Sequence, residues 1–363
     1  MRIRSVETMI VEIPFDDGGK GEGITPTTWN TLETVLVKVV DEDGVVGWGE
    51  GFGYFCADAT KYMLDRNLAP LTVGMDVSSV PAWNLLMQRR LHLFGRYGVT
   101  MFAISGLDMA LWDLTAKRAG VPLRDLLGPG RAERLNFYAS LVRYGDPLVA
   151  PAISEAALAD GFTDLKLHEI TMADIRACRQ AVGDHVPISV DVNGAWSESE
   201  AAVNASALAA GGYTWLEEPI FPPEAFDALA ALRRPGLPLA AGENWCTAVQ
   251  FAAAADAGAA DLLQPSVTKV GGVSEFLAVA DLAEERSLGL LAHSPYFGPG
   301  VFATMHLAAA RPSVGQLEYL YVKREASLAD VGPVQAGGYL NLPTGPGLGF
   351  EPDPDVVRRY RRA

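Results

Sequence analysis

Seven polar residues recur along the second half of this chain at nearly regular intervals. His168, Asp191, Glu217, Glu243, Ser266, His293 and Glu318 stand 23, 26, 26, 23, 27 and 25 residues apart. Each closes a short apolar run: Lys166-Leu167-His168, Asp191-Val192-Asn193, Glu217-Glu218-Pro219, Gly242-Glu243-Asn244-Trp245, Gln264-Pro265-Ser266, His293-Ser294 and Glu318. Three carboxylates aimed at one point repel one another unless a cation lies between them. An all-oxygen set that leaves positions free for further oxygens suits a hard ion, and Mg²⁺ in particular. Asp191, Glu217 and Glu243 are therefore expected to hold Mg²⁺. The alternative, that each acid caps the following helix, is open for any one of them and is weakened by their matched phase. Lys166 and His168 lie two apart, so on a strand they share a face. Leu165 and Leu167 then take the other face, and Lys166 should point inward. His168 and His293 are two of only five histidines and are expected to handle protons beside the acids, although a strand-end histidine is also a common structural residue.

The elements that would position these groups are eight apolar runs: 135–141, 162–168, 186–192, 213–218, 237–243, 261–266, 288–294 and 314–319. Alanine-rich amphipathic segments such as 199–210, 225–232 and 273–286 separate them. Strand–helix alternation predicts parallel strands under covering helices, and eight strands in this length favour a closed barrel over an open sheet. In such a barrel the strand C-termini meet at one mouth. The fold class is thus α/β, a modified TIM barrel. Residues 1–128 read as an α+β capping domain: a β-branched run at Val35–Val40, the turn Asp41-Glu42-Asp43-Gly44, a second strand from Val45, then helices over 57–128. The barrel is expected over 129–326, and 327–363 as a Gly/Pro-rich segment returning to the cap.

Bulk properties remove several function classes. A net charge of −15 argues against nucleic acid, which requires a concentrated basic surface. The one dense basic run, Arg358-Arg359-Tyr360-Arg361-Arg362, reads as a solvated tail or helix end. Three widely spaced cysteines, Cys56, Cys178 and Cys246, indicate neither a disulfide framework nor a thiolate zinc site. No apolar stretch is expected to cross a bilayer, and no signal-peptide core follows Met1, so a cytoplasmic location is expected. The glycines of Gly47–Gly53 lack the GxGxxG spacing of a dinucleotide site.

At these residues the chain resembles the enolase superfamily, and within it the mandelate racemase subgroup. The resemblance runs through Ala110-Leu111-Trp112-Asp113-Leu114, Asp191-Val192-Asn193-Gly194-Ala195-Trp196, Glu217-Glu218-Pro219, Gly242-Glu243-Asn244-Trp245, Lys269-Val270-Gly271-Gly272-Val273 and His293. It implies a (β/α)₇β barrel under an N-terminal cap, Mg²⁺ on Asp191, Glu217 and Glu243, and a Lys or His base. The chain departs from the family's pattern twice. His168 stands where a second lysine is usual, and Ser266 where an aspartate usually partners the seventh-strand histidine. Ser266 could orient His293 but supplies no charge, which makes His293 a poorer base that can still donate a proton.

The expected roles follow. Lys166 attends the substrate carboxylate, His168 is the base, His293 approaches from the opposite face, and Glu318 hydrogen-bonds a carboxylate oxygen. Asn193, Ser266, Trp29, Tyr54 and Tyr296 are expected at the substrate, the aromatic residues forming a partly apolar pocket or else packing on the cap. Loops 16–30 and 51–60 are expected to set specificity. The reaction expected is Mg²⁺-dependent removal of the proton α to a carboxylate with dehydration of a hydroxy or sugar acid. Racemisation of a 2-hydroxy acid is the second reading, and a non-catalytic barrel scaffold the third. The expected partners are a small carboxylate and further copies of the chain, with neither nucleic acid nor membrane.

Overall fold

The computed structural model describes residues 1–21, 28–130 and 132–362. Residues 22–27, part of the 16–30 loop expected to set specificity, lie outside the described residues. The N-terminal sheet comprises β1 (Ile3–Asp16), β2 (Thr31–Asp41) and β3 (Val46–Gly51), paired antiparallel. The β2–β3 turn is the expected Asp41–Gly44, with Gly44 at φ 87°. Along β2, Val35, Val37 and Val39 pack into the cap core with Ile104, Leu107 and Leu111, while Leu36 joins the core beneath the barrel helices. Opposite faces of one strand thus serve two cores, which is why the run is apolar throughout. Against β3 lies the helix Val99–Ala119. Glycine is required at this seam: a Cβ on Gly49 would sit 2.0 Å from the Gly106 carbonyl, and one on Gly47 2.2 Å from that of Ala110. By length and composition this helix could span a bilayer, contrary to the sequence expectation, but 78% of its apolar window is buried inside the fold. It is the spine of the cap.

Eight parallel strands follow: β4 (Arg134–Ser140), β5 (Leu165–Leu167), β6 (Ile188–Asp191), β7 (Leu216–Glu217), β8 (Leu239–Ala241), β9 (Leu262–Leu263), β10 (Gly289–Leu290) and β11 (Leu317–Leu320). They pair in sequence order, β11 pairs with β4, and a parallel bridge from Leu290 to Val314 closes the ring. One helix separates each strand from the next, giving the (β/α)₇β pattern with the cap above it. Alternation sorts the strand residues. Leu165, Leu167, Val190, Leu216, Leu239 and Leu263 pack outward on the helices. Tyr138, Trp215, Ala240 and Leu291 form a separate apolar cluster, and Lys166, Asp191 and Glu217 are fully buried on the alternate face.

After β11 the chain returns to the cap. β12 (Lys323–Arg324) pairs with β1, β13 (Tyr339–Asn341) pairs antiparallel with β4, and the helix Pro354–Tyr360 follows. The basic run is not wholly a solvated tail: Arg362 forms ion pairs with Glu12, Glu33 and Asp58. The three cysteines are free.

Candidate active site

Strand pairing sets the acids side by side, with Asp191 in register with Glu217 across β6–β7. Glu243 follows β8 immediately, after Gly242 at φ 131°. One carboxylate oxygen from each of Asp191, Glu217 and Glu243 lies within 4.8 Å of the others. None of the three is a helix cap: the helix Glu198–Ala210 is capped by Ser197, and the helices after Glu217 and Glu243 begin beyond Ala225 and Cys246. Asp191 Oδ2 is buried with no hydrogen bond of good geometry, its facing groups being His168 Nε2 at 3.2 Å and the Lys166 ammonium at 3.6 Å. Such an atom is costly unless a cation meets it, and the all-oxygen set fits a hard divalent ion.

The electrostatics of the cluster point the same way. Burial pushes the Glu217 carboxyl well above its ordinary range, with Lys166 only partly offsetting it. For Asp191 and Glu243 burial also acts upward, but the facing His168 and His293 outweigh it and hold both carboxyls low. Lys166 is fully buried, its Nζ 2.9 Å from Glu217 Oε1, 2.9 Å from Glu318 Oε1 and 3.6 Å from Asp191 Oδ2. It points inward as expected, yet it does not line the cavity, because Glu217 and Glu318 already hold its ammonium. Glu318 does line the cavity, but its Oε1 accepts from Ser140 Oγ at 2.7 Å and its Oε2 from Ser294 N at 3.1 Å. With Lys166 beside it the carboxyl is held low despite burial. Both Glu318 oxygens thus accept hydrogen bonds within the protein.

The two histidines flank the acids from opposite sides. His168 Nε2 lies 3.2 Å from Asp191 Oδ2, and His293 Nε2 lies 3.0 Å from Glu243 Oε2. His168 Nδ1 is 2.5 Å from the Leu141 carbonyl, an obligatory acceptor, so Nδ1 carries a proton, and whenever the imidazole is neutral its lone pair is on Nε2. His293 Nδ1 instead faces the Tyr296 hydroxyl at 3.2 Å. Ser266 does not reach His293 directly, as the sequence suggested; its hydroxyl bonds that of Tyr296. Tyr296 is therefore buried behind His293 rather than against a substrate, and neither it nor Ser266 lines the cavity.

The cavity, about 180 Å³, is lined by Trp29, Phe52, Tyr54 and Phe55 from the cap and by His168, Asn193, Glu243 and His293 from the barrel. The expected Trp29, Tyr54 and Asn193 are present there; Tyr54 Oη already donates to the Pro295 carbonyl at 2.5 Å. Two cations were missed in the sequence. Lys269 lines the cavity with Nζ 2.8 Å from Asn244 Oδ1 and 5.0 Å from the centre of the Phe52 ring. Arg143 ties three strand ends together, donating to the carbonyls of His168 and Val192 and to Asn193 Oδ1. Lys269 carried a signal, three residues past Ser266; Arg143, beyond the first strand, carried none.

Comparison with known proteins agrees with this arrangement. Residues 11–128 match the mandelate racemase / muconate lactonizing enzyme N-terminal domain, and residues 149–356 the enolase C-terminal domain-like family. The D-galactarolactone cycloisomerase of Agrobacterium fabrum is 30% identical over 99% of each chain. The arabinonate dehydratase of Saccharolobus solfataricus is 28% identical over 91% of each. The solved structure of a racemase from Streptomyces coelicolor with bound magnesium is 29% identical, superposes with a TM-score of 0.84, and is covered over 100% of its length by 99% of this chain. With both halves matched and the acids gathered at the barrel mouth, the chain belongs to the enolase superfamily, in its mandelate racemase/muconate lactonizing enzyme branch.

Proposed function

We propose that the chain is a Mg²⁺-dependent lyase that dehydrates a hydroxy acid, most simply a sugar acid, by removing the proton α to its carboxylate. Asp191, Glu217 and Glu243 would hold the ion. Mg²⁺ bound there would take up the negative charge that grows on the substrate carboxylate as the α-proton leaves. Nε2 of His168 takes that proton. The freed electron pair forms the enediolate and then the C=C bond as the β C–O bond breaks. The departing oxygen receives a proton from His293 and leaves as water, and the enol product tautomerises to a keto acid. Lys166 keeps Glu217 and Glu318 in place, and Lys269, on the cavity wall, offers the substrate a cation. The aromatic cap wall excludes water from the reacting carbons.

The observation that carries this reading is the unequal wiring of the two histidines. A backbone carbonyl behind His168 makes its Nε2 a base, whereas a hydroxyl stands behind His293 where no carboxylate promotes base strength. Racemisation is favoured by one observation: both Nε2 atoms reach the acids from opposite sides, as two bases would. Sugar-acid dehydratases among the relatives, such as the D-galactonate dehydratase of Ralstonia nicotianae, add weight to elimination. Incubating the protein with Mg²⁺ and a panel of aldonates in D₂O separates the readings. Keto acid with loss of the α-hydrogen is expected. Deuterated acid of altered configuration without keto acid would instead establish the racemase.

A further inference from the structure

We propose that Arg143 is a positioning residue: it turns the Asn193 side chain so that the amide NH₂ faces the reaction chamber and donates to an oxygen of the bound acid. This role rests on the reading of the chamber as the seat of a Mg²⁺-bound hydroxy acid, and it holds for elimination and racemisation alike.

The strand ends bring the two residues together. Arg143 stands three residues past β4, while His168 and Asn193 follow the neighbouring β5 and β6. Arg143 Nε donates to the His168 carbonyl at 2.7 Å. Its Nη2 donates to Asn193 Oδ1 at 3.1 Å and, less closely, to the Val192 carbonyl at 3.4 Å. A planar fork held at both places has little freedom to swing. The backbone of Asn193 is fixed by other means. It takes the left-handed conformation, φ 46°, which asparagine tolerates better than most residues, and its N–H donates to Asp191 Oδ1 at 2.8 Å.

Donor chemistry decides which end of the amide meets the chamber. A guanidinium has five N–H groups and no acceptor, so only Oδ1 of Asn193 can face Arg143. The amide is planar, and Nδ2 therefore points away from the arginine. Asn193 lines the chamber. Its Oδ1 and backbone N–H are engaged within the protein, which leaves the two Nδ2 hydrogens for the chamber's occupant. The reversed amide would set N–H against N–H and turn a carbonyl oxygen toward an anionic substrate. Lysine in place of Arg143 keeps the charge but not the orientation, because an ammonium is a point charge on a flexible stem and cannot hold His168 and Asn193 in one plane.

Binding of 2-hydroxyisobutyrate, a hydroxy acid with no α-hydrogen and hence no turnover, tests the orientation without catalysis. The full-length protein, saturated with MgCl₂, is titrated in a calorimeter as wild type, Arg143→Lys, Asn193→Ala and the double variant. Each single change should weaken binding roughly tenfold, the scale of one hydrogen bond in a desolvated site. The double variant should bind no more weakly than Asn193→Ala, because Arg143 acts through Asn193. In Arg143→Lys the rise in melting temperature with MgCl₂ should match that of wild type. Three results would overturn the proposal: no binding to wild type, losses that multiply in the double variant, or a lost Mg²⁺ response, as a merely loosened mouth would give. Where Arg143→Lys does not fold, Asn193→Asp decides. It keeps an acceptor for Arg143 but no donor, so binding should fall at least about tenfold, and wild-type affinity would count against the orientation. Failure of the elimination reading appears elsewhere, as absence of keto acid with this binding pattern intact.

Discussion

Replacing Glu50 by Gln should remove one defined part, roughly 2–3 kcal/mol, of the pH dependence of folding between pH 4.5 and 7. Glu50 lies on β3 of the cap but reaches the barrel, where its carboxylate accepts from Gly300 N at 2.8 Å at the start of the helix Pro299–Ala310. Burial raises its carboxyl from 4.5 to about 7, and the Gly300 N–H offsets only part of that. The folded chain therefore keeps this proton over a window in which the unfolded chain has lost it. Stability from this group is complete below pH 4.5 and is lost as pH rises through about 7. The rise from 4.5 to about 7 corresponds to roughly 3 kcal/mol. Gln has the same shape, and its cost in the site does not change with pH. Urea unfolding of both proteins at about pH 5 and about pH 7.5 isolates the effect, because the loss across that interval should be smaller in Glu50→Gln by roughly 2–3 kcal/mol. Asp108 and Asp113, raised by burial to about 7 and about 6, leave a common residual slope in both proteins. Parallel losses in the two proteins would refute the argument, since Glu50 would then be ionised in the fold at pH 5.

Mg²⁺ at about one hundred times its dissociation constant should stabilise wild type by about 2.7 kcal/mol. Glu217→Gln should abolish that response in a thermal melt, and an equal rise in both would place the ion elsewhere. His168→Ala should slow exchange of the substrate α-hydrogen at least about 100-fold while far-UV circular dichroism stays the same; undiminished exchange removes His168 as the base. Gly49→Ala should destabilise the fold by about 2 kcal/mol or more, since its Cβ would lie 2.0 Å from the Gly106 carbonyl oxygen. A melting temperature equal to that of wild type would contradict the close approach of β3 and the cap helix.

The barrel was legible in the sequence because its strands punctuate themselves. Asp191, Glu217 and Glu243 announced a common mouth through interval alone, and Leu165 and Leu167 around Lys166 told which way that lysine points. What escaped depended on side-chain reach. Nothing in the spacing says that the Lys166 ammonium is taken by Glu217 and Glu318, or that Glu318 is already filled with donors from Ser140, Lys166 and Ser294. Tyr296 read as a mouth aromatic because a loop residue's direction is not periodic; the ring turns back beneath His293. The helix Val99–Ala119 fell among the helices expected over 57–128, yet its apolar length alone also suits a bilayer, and only the two cores around it settle its place.

Arg362 couples a remote segment to the reaction chamber. Its guanidinium grips Glu33, whose other carboxylate oxygen accepts from Phe55 N at 2.7 Å. Phe55, held at φ 59°, forms part of the chamber's ceiling. A bulky fusion or a protease nick close to Arg362 would thus loosen the Glu33 carboxylate that holds Phe55 N. The damage would register as weakened substrate retention in a protein whose secondary structure and melting profile look intact.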